Sequence, residues 1–422
     1  MTRLMYRKTT LPNGVRIITE AMPAFRSASI GIWADVGSAA EDHERRGVSH
    51  LVEHMLFKGT RRRTAREIAE EMDGVGGNLN AFTDKETTCY YAKVIDHQVP
   101  LAVDVLTDMF LHSTFDPSEL AKEQKVVLEE IKMYDDSPDE MIHDLFIQTM
   151  WQGGDLGAPT IGFAETVTAL TPDDLRDHML RHYAPNSVVV AAAGNVEHEH
   201  IVDLFAKAFE DFAGSCELPK AETPRATPNT LFRQKDSEQA YVVLGTRGLP
   251  VRDERRYTLS VLDTVLGGGM SSRLFQEIRE KRGLVYTVYS FQAAYRAAGL
   301  FGVYAGTSPS NASECIRVIG EQLAAIRAVD ISPSELRLAK EHIKGNLTLS
   351  LESTSSRMIR LGRSEFALGR QVTTEEIEER VDAVSAEDVR ALSTELFAQE
   401  HLGLCVLGPV DEAAVDWNSS AA

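Results

Sequence analysis

Apolar positions along this chain follow two rhythms, an every-second-residue alternation and a three-to-four spacing, and each switch between them marks an element. Tyr6 to Glu20 alternates around Pro12-Asn13-Gly14, a turn signal between two short strands. Ala28 to Val36 predicts a further strand. From Gly47 the spacing changes, and Val48, Leu51, Val52, Met55 and Leu56 predict a helix with one buried face, running to Phe57. Thr64 opens a second helix as N-cap, with Glu67 in the capping-box position, and Gly76-Gly77 ends it. Leu79 to Phe82 and Thr87 to Val94 read as paired strands, and Pro100 to Leu111 and Pro117 to Met133 as helices. A helix over Thr171 to His182 and a hydrophobic strand over Ser187 to Ala193 complete this half.

The rhythm breaks from Gly214 to Pro228, where prolines at 219, 224 and 228 stand among small polar residues and mark a linker. The same plan then restarts. Glu44-Arg45-Arg46 returns as Glu254-Arg255-Arg256, Asp116-Pro117-Ser118-Glu119-Leu120 as Ser332-Pro333-Ser334-Glu335-Leu336, and Thr171-Pro172-Asp173-Asp174-Leu175 as Ser385-Ala386-Glu387-Asp388-Val389. Three anchors in one order, at offsets of 210 to 216, identify a tandem duplication. The expected fold is α+β, with a domain over residues 1–213, a linker over 214–228 and a degenerate repeat over 229–422. Each domain is expected to be a mostly antiparallel sheet with helices packed on it, the two related by pseudo-symmetry. A length of 422 residues agrees, being too great for one ordinary core.

Composition narrows the class. Apolar residues at 43% and charged residues at 25% fit a globular chain in water. Met1 to Arg16 holds basic residues but no apolar run, so no secretory signal is expected, and no stretch is long and apolar enough for a bilayer. Cys89, Cys216, Cys315 and Cys405 are scattered without a Cys-x-x-Cys pair, which fits free thiols in a reducing compartment, hence the cytoplasm. A formal charge of −19 argues against nucleic acid and favours cationic partners.

Candidate chemistry lies on the first amphipathic helix. His50 and His54 stand four apart, so both rings leave one side of the helix a turn apart and suit one zinc ion. Glu53 beside them can take a proton from water. The order His-x-x-Glu-His is the inverse of the commoner zinc motif. At offset 210 these residues become Ser260, Asp263 and Thr264, so the second copy keeps the helix and lacks the imidazoles. A third ligand is needed, and the helix Pro117 to Met133 offers Glu123 and Glu130 on one face, with Glu119 and Glu129 as rivals that spacing alone does not eliminate.

Three blocks taken together resemble the pitrilysin/insulinase family of zinc peptidases: His50-Leu-Val-Glu53-His54-Met-Leu-Phe-Lys-Gly-Thr60, Gly77-Asn-Leu-Asn-Ala-Phe-Thr83 and Glu123-Gln-Lys-Val-Val-Leu-Glu-Glu130. The branch they look like is that of the bacterial relatives of the mitochondrial processing peptidase catalytic (beta) subunit. Leu266 to Tyr286, with its Gly267–Gly269 loop, extends the resemblance into the second half. The resemblance implies His50, His54 and Glu130 as ligands of one zinc per chain, Glu123 as the carboxylate that orients a ligand histidine, and Glu53 as general base. It implies that Asn80, Ala81, Phe82 and Thr83 form the edge strand that aligns an extended peptide, and that Arg279 and Tyr286 steady the scissile carbonyl from the far half of a partner chain. Glu140 and Asp144 match carboxylates that grip an arginine near the cleaved bond.

The expectation is therefore a zinc metalloendopeptidase acting on extended, basic peptides inside a clamshell homodimer, with neither nucleic acid nor membrane as partner. The alternative is a non-catalytic peptide-binding or assembly subunit. Members of that kind lose part of the metal set, whereas the set here is complete.

Overall fold

The computed structural model describes residues 6–152, 154–218 and 223–415. Residues 1–5 of the N-terminal stretch and 219–222 of the expected linker lie outside the described residues. The chain forms two compact units, and neither is a continuous run. The first takes the described residues of Met1–Lys132, Ala158–Lys220 and Ser350–Gln371; the second takes those of Met133–Gly157, Ala221–Leu349 and Val372–Ala422. Residues 133–157 and 350–371 thus cross the division expected at 214–228.

The first unit is built on six strands, β1 (Tyr6–Thr10), β2 (Arg16–Ala21), β3 (Ser27–Ala34), β4 (Asn78–Thr83), β5 (Thr88–Ile95) and β6 (Val188–Gly194), in the order β1-β2-β6-β3-β5-β4. Only β2–β6 is parallel. The central β6, Val-Val-Val-Ala-Ala-Ala-Gly, is wholly buried because both faces are covered. Val188, Val190 and Ala192 enter one core with the helices Val48–Leu56, Val99–His112 and His198–Ala208. Val189, Ala191 and Ala193 enter another with Trp33, Met358, Leu361 and Phe366.

That second core is closed by a helix from the other half of the sequence, Thr354–Leu368. It can approach because Gly362 faces Trp33, where an added Cβ would sit 2.3 Å from Cε2 of the indole. Polar ties fix its direction: buried Glu365 pairs with Lys8 at 2.5 Å and Arg16 at 3.2 Å, and Arg357 pairs with Glu20. Ser29 Oγ lies 2.9 Å from Thr354 Oγ1.

The second unit carries β7 (Thr230–Arg233), β8 (Ala240–Arg247), β9 (Val285–Ala294), β10 (Gly299–Thr307) and β11 (Gly403–Leu407), in the order β7-β11-β8-β10-β9. Only β7–β11 is parallel. Strand for strand this repeats β2-β6-β3-β5-β4 in order and direction, so the duplication read from the sequence is a duplication of the fold. One face holds the helix Arg256–Gly267, the counterpart of the histidine helix; the other receives Pro138–Met150 from the first half of the sequence.

Candidate metal centre and active site

The centre is carried by the helix Val48–Leu56, whose apolar face is locked into the first core with Leu51, Val52 and Leu56 at 0% exposure. Fully burying each such side chain contributes about 1.5–3 kcal/mol. The helix has no side-chain N-cap of its own. Buried Glu41 supplies one from outside, accepting from the backbone N–H of Gly47 and of Ser49, both at 2.8 Å. Gly47 holds φ at +95°, a left-handed conformation that favours glycine. With one face pinned and the first turn gripped, His50 and His54 have little freedom of position.

Three donors converge there. Nε2 of His50 lies 3.9 Å and Nε2 of His54 3.7 Å from Oε2 of Glu130, which comes from the helix Pro117–Asp135. The donor atoms of all three lie within 4.8 Å of one another, and no other such group occurs among the described residues. Two imidazole nitrogens and one carboxylate oxygen, with a coordination position left for water, form a donor set suited to zinc. Burial, and then the neighbouring His54, pushes the pKa of His50 down to about 3, so its ring is neutral at neutral pH, the form that binds metal. The residues present fit the ion.

Glu123 meets the other ring nitrogen of His54. Its carboxylate is 7% exposed, meets His54 Nδ1 at 3.1 Å and accepts from Lys58 Nζ at 2.8 Å. An N–H at Nδ1 leaves Nε2 with its lone pair toward Glu130. Lys58, one turn past His54, is not singled out by the sequence, although that spacing is visible; Glu41, in the loop before the helix, gives no signal.

Glu53 stands on the same helix. Burial raises its carboxyl pKa above the ordinary range, opposed by a hydrogen bond from Thr83 and the nearness of His54. Thr83 Oγ1 donates to Glu53 Oε2 at 2.6 Å, so the carboxylate is tied to β4. That strand, with Asn80, Ala81 and Phe82, is the open edge of its sheet. The sequence offered Thr83 for its backbone and gave no hint of its hydroxyl. The degenerate copy keeps the tie: Asp263 accepts from Ser290 of β9.

The remaining sequence candidates lie in the second unit. Arg279 sits in a π-helical turn, Phe275–Glu280, with its guanidinium 4.8 Å from the Phe275 ring centre and 5.3 Å from that of Tyr286. Tyr286 is 77% exposed. Glu140, exposed, and Asp144, half-buried, stand four apart on Pro138–Met150. Gly267 ends its helix against β9, where a Cβ would meet the Ser290 backbone nitrogen at 2.0 Å.

Residues 16–163 match the family described as insulinase (peptidase family M16), and residues 169–343 match the peptidase M16 inactive domain. A Bacillus subtilis protein named as an uncharacterized zinc protease, YmxG, is 45% identical over 96% of this chain and 98% of its own length. Another, from Streptomyces coelicolor, is 43% identical over 96% of this chain and 90% of its own. In fold, the chain is similar to a crystal structure described as a peptidase M16 inactive domain from Pseudomonas fluorescens, with TM-score 0.90 at 20% identity over 96% of this chain and 98% of that one. It is also similar to a protease from Helicobacter pylori, with TM-score 0.89 at 22% identity over 96% and 100%.

Proposed function

The chain belongs to the insulinase family of peptidases, M16, and from that premise we propose that it is a zinc metalloendopeptidase that cuts extended peptides. The observation that carries this reading is the meeting of His50, His54 and Glu130 beside a buried carboxylate, Glu53, that is tied to an open strand edge. One zinc per chain would be held by those three side chains. When bound, zinc supplies Lewis-acid chemistry, acidifying a water molecule and polarising a peptide carbonyl.

The chain's own residues do the rest. A substrate strand adds to β4 through backbone hydrogen bonds to Asn80, Ala81, Phe82 and Thr83, which sets it beside Glu53. Glu53 takes the proton from the attacking water and returns it to the leaving amine nitrogen. Burial favours the protonated form and so strengthens Glu53 as the base that takes the proton, and the Thr83 hydroxyl steadies the ionised form to which the return step leads. Glu123 holds the His54 ring in register. Arg279 and Tyr286, contributed by a second copy of the chain, donate to the developing oxyanion. Glu140 and Asp144 together grip the guanidinium of a substrate arginine. The assembly is a homodimer that encloses its substrate, and the scattered thiols, free among the described residues, support a reducing compartment, the cytoplasm, as its place of work. No helix among the described residues is long and apolar enough to cross a membrane.

Glu53→Gln tests the mechanism. The variant should bind zinc as the wild type does and lose peptide cleavage by at least about a thousandfold, measured by metal analysis and mass spectrometry of a digested peptide library. Retained hydrolysis would end this assignment.

A further inference from the structure

Strand β9 corresponds to β4 in the duplicated fold, yet the two edges differ. β4 pairs with β5 without a break, from Asn78 opposite Lys93 to Thr83 opposite Thr88. β9 slips: Thr287 faces Gly306, Val285 faces Thr307, and Tyr286 between them faces no residue of β10. This is a β-bulge, and its effect on the side chains is plain. Val285 and Val288, three apart, both enter the core of the second unit, where regular alternation would send one of them outward. The extra residue, Tyr286, is thrown out of the pleat and left 77% exposed.

A second irregularity precedes it. The helix before β9 widens into the π-turn Phe275–Glu280, a motif that shifts the side chains after it around the helix axis. Gly283, at φ +63°, reverses the chain, with its N–H bonded to the Arg279 carbonyl, and Leu284 N–H returns to the Ile278 carbonyl at 3.0 Å. The turn and the bulge are therefore one continuous device, and its outcome is that the Arg279 guanidinium lies 5.3 Å from the centre of the Tyr286 ring. One side chain clamps the junction. Thr307, 2% exposed and opposite the bulge, donates from Oγ1 to the Leu284 carbonyl at 2.6 Å.

We propose that Thr307 is a positioning residue for the peptidase reaction: by holding the Leu284 carbonyl it fixes the bulge, and through the bulge the aim of Tyr286 and Arg279. The proposal rests on the reading of Arg279 and Tyr286 as oxyanion donors. Thr307 itself is buried and touches no substrate. The duplication has divided the work accordingly, with an unbroken edge for pairing with peptide in one copy and a broken edge for aiming side chains in the other.

The test is a double-mutant cycle on the full-length, zinc-loaded chain with a cleavable peptide. Thr307→Val keeps the shape and removes the hydroxyl; it should lower kcat about tenfold with KM and zinc content unchanged. Thr307→Ser should restore most of the loss. Tyr286→Phe should lower kcat by about a hundredfold, and adding Thr307→Val to the Tyr286→Phe/Arg279→Ala pair should cost less than twofold more, because the hydroxyl acts through the two groups already removed. Equal, multiplicative losses in the two backgrounds would overturn the proposal and leave Tyr286 as a donor. A Thr307→Val variant as active as the wild type would do the same. Should neither Tyr286→Phe nor Arg279→Ala lower kcat, the oxyanion assignment falls, and the role of Thr307 with it.

Discussion

Exchanging Glu123 for glutamine isolates what the carboxylate beneath His54 contributes to the metal centre. The native group is 7% exposed and serves two donors, His54 Nδ1 at 3.1 Å and Lys58 Nζ at 2.8 Å. Glutamine is nearly isosteric but neutral, with one oxygen to accept and one amide to donate. If its oxygen stays with His54, its amide faces the Lys58 ammonium, donor to donor; if it flips, His54 loses its acceptor and the Nε2 lone pair is no longer fixed. Either way the imidazole loses a negative partner that strengthens it as a ligand. Losing such a partner weakens metal affinity by about 10- to 100-fold, or about 1.4–2.8 kcal/mol. Competition of the apo-protein against a chromogenic chelator reads this directly. Lys58→Met is the control: it removes the ion pair and leaves the carboxylate with His54, so its zinc affinity should stay within about threefold of the wild type. Wild-type affinity in Glu123→Gln, or an equal loss in Lys58→Met, would refute the orienting role and reduce Glu123 to a partner for lysine.

Other outcomes follow from the geometry. Thr83→Val removes the hydroxyl bond that lowers the Glu53 pKa, so that pKa should rise and the acid limb of kcat/KM against pH should move to higher pH; an unmoved limb would show that the bond does not act on the base. Gly362→Ala sets a methyl carbon 2.3 Å from the Trp33 indole and should destabilise the protein by about 1–3 kcal/mol in urea titration, leaving zinc affinity untouched. His178, 5% exposed, has its pKa pushed down to about 3 by burial and then by the charge of nearby His182. Its neutral form contributes stability that is complete above the unfolded value near 6.5 and is lost as pH falls toward 3, at up to about 1.4 kcal/mol per pH unit. The urea midpoint should therefore fall between pH 7 and 5, and less steeply in His178→Gln; identical slopes would count against this group.

Much of the centre is local, and so the sequence displays it. His50, Glu53 and His54 share one helix whose apolar spacing is unambiguous, and the repeated anchors reveal the doubled fold because short motifs survive in both copies. The ligand on the second helix was narrowed to four carboxylates by spacing, and only a family resemblance chose Glu130. What stayed hidden is non-local. Periodicity says that the helices Pro138–Met150 and Thr354–Leu368 bury a face, but not that each closes the sheet of the other half. Glu41 bonds a helix that starts several residues later, and nothing near it in the sequence announces the contact. Val285 and Val288 carry a trace of the bulge in their spacing of three, but a run as aromatic as Val-Tyr-Thr-Val-Tyr reads as ordinary strand until its register is known.

The bond from Thr83 to Glu53 has a twin in Ser290 and Asp263, on a helix that has shed every metal ligand. A latch that persists where no imidazoles stand beside it does not depend on them. It is a rivet between the first amphipathic helix of each copy and an edge strand of its sheet, and in the first copy it holds a carboxylate where a hydrolytic proton carrier would be wanted. The second copy keeps the same rivet, with Ser260 and Thr264 where the first has its imidazoles.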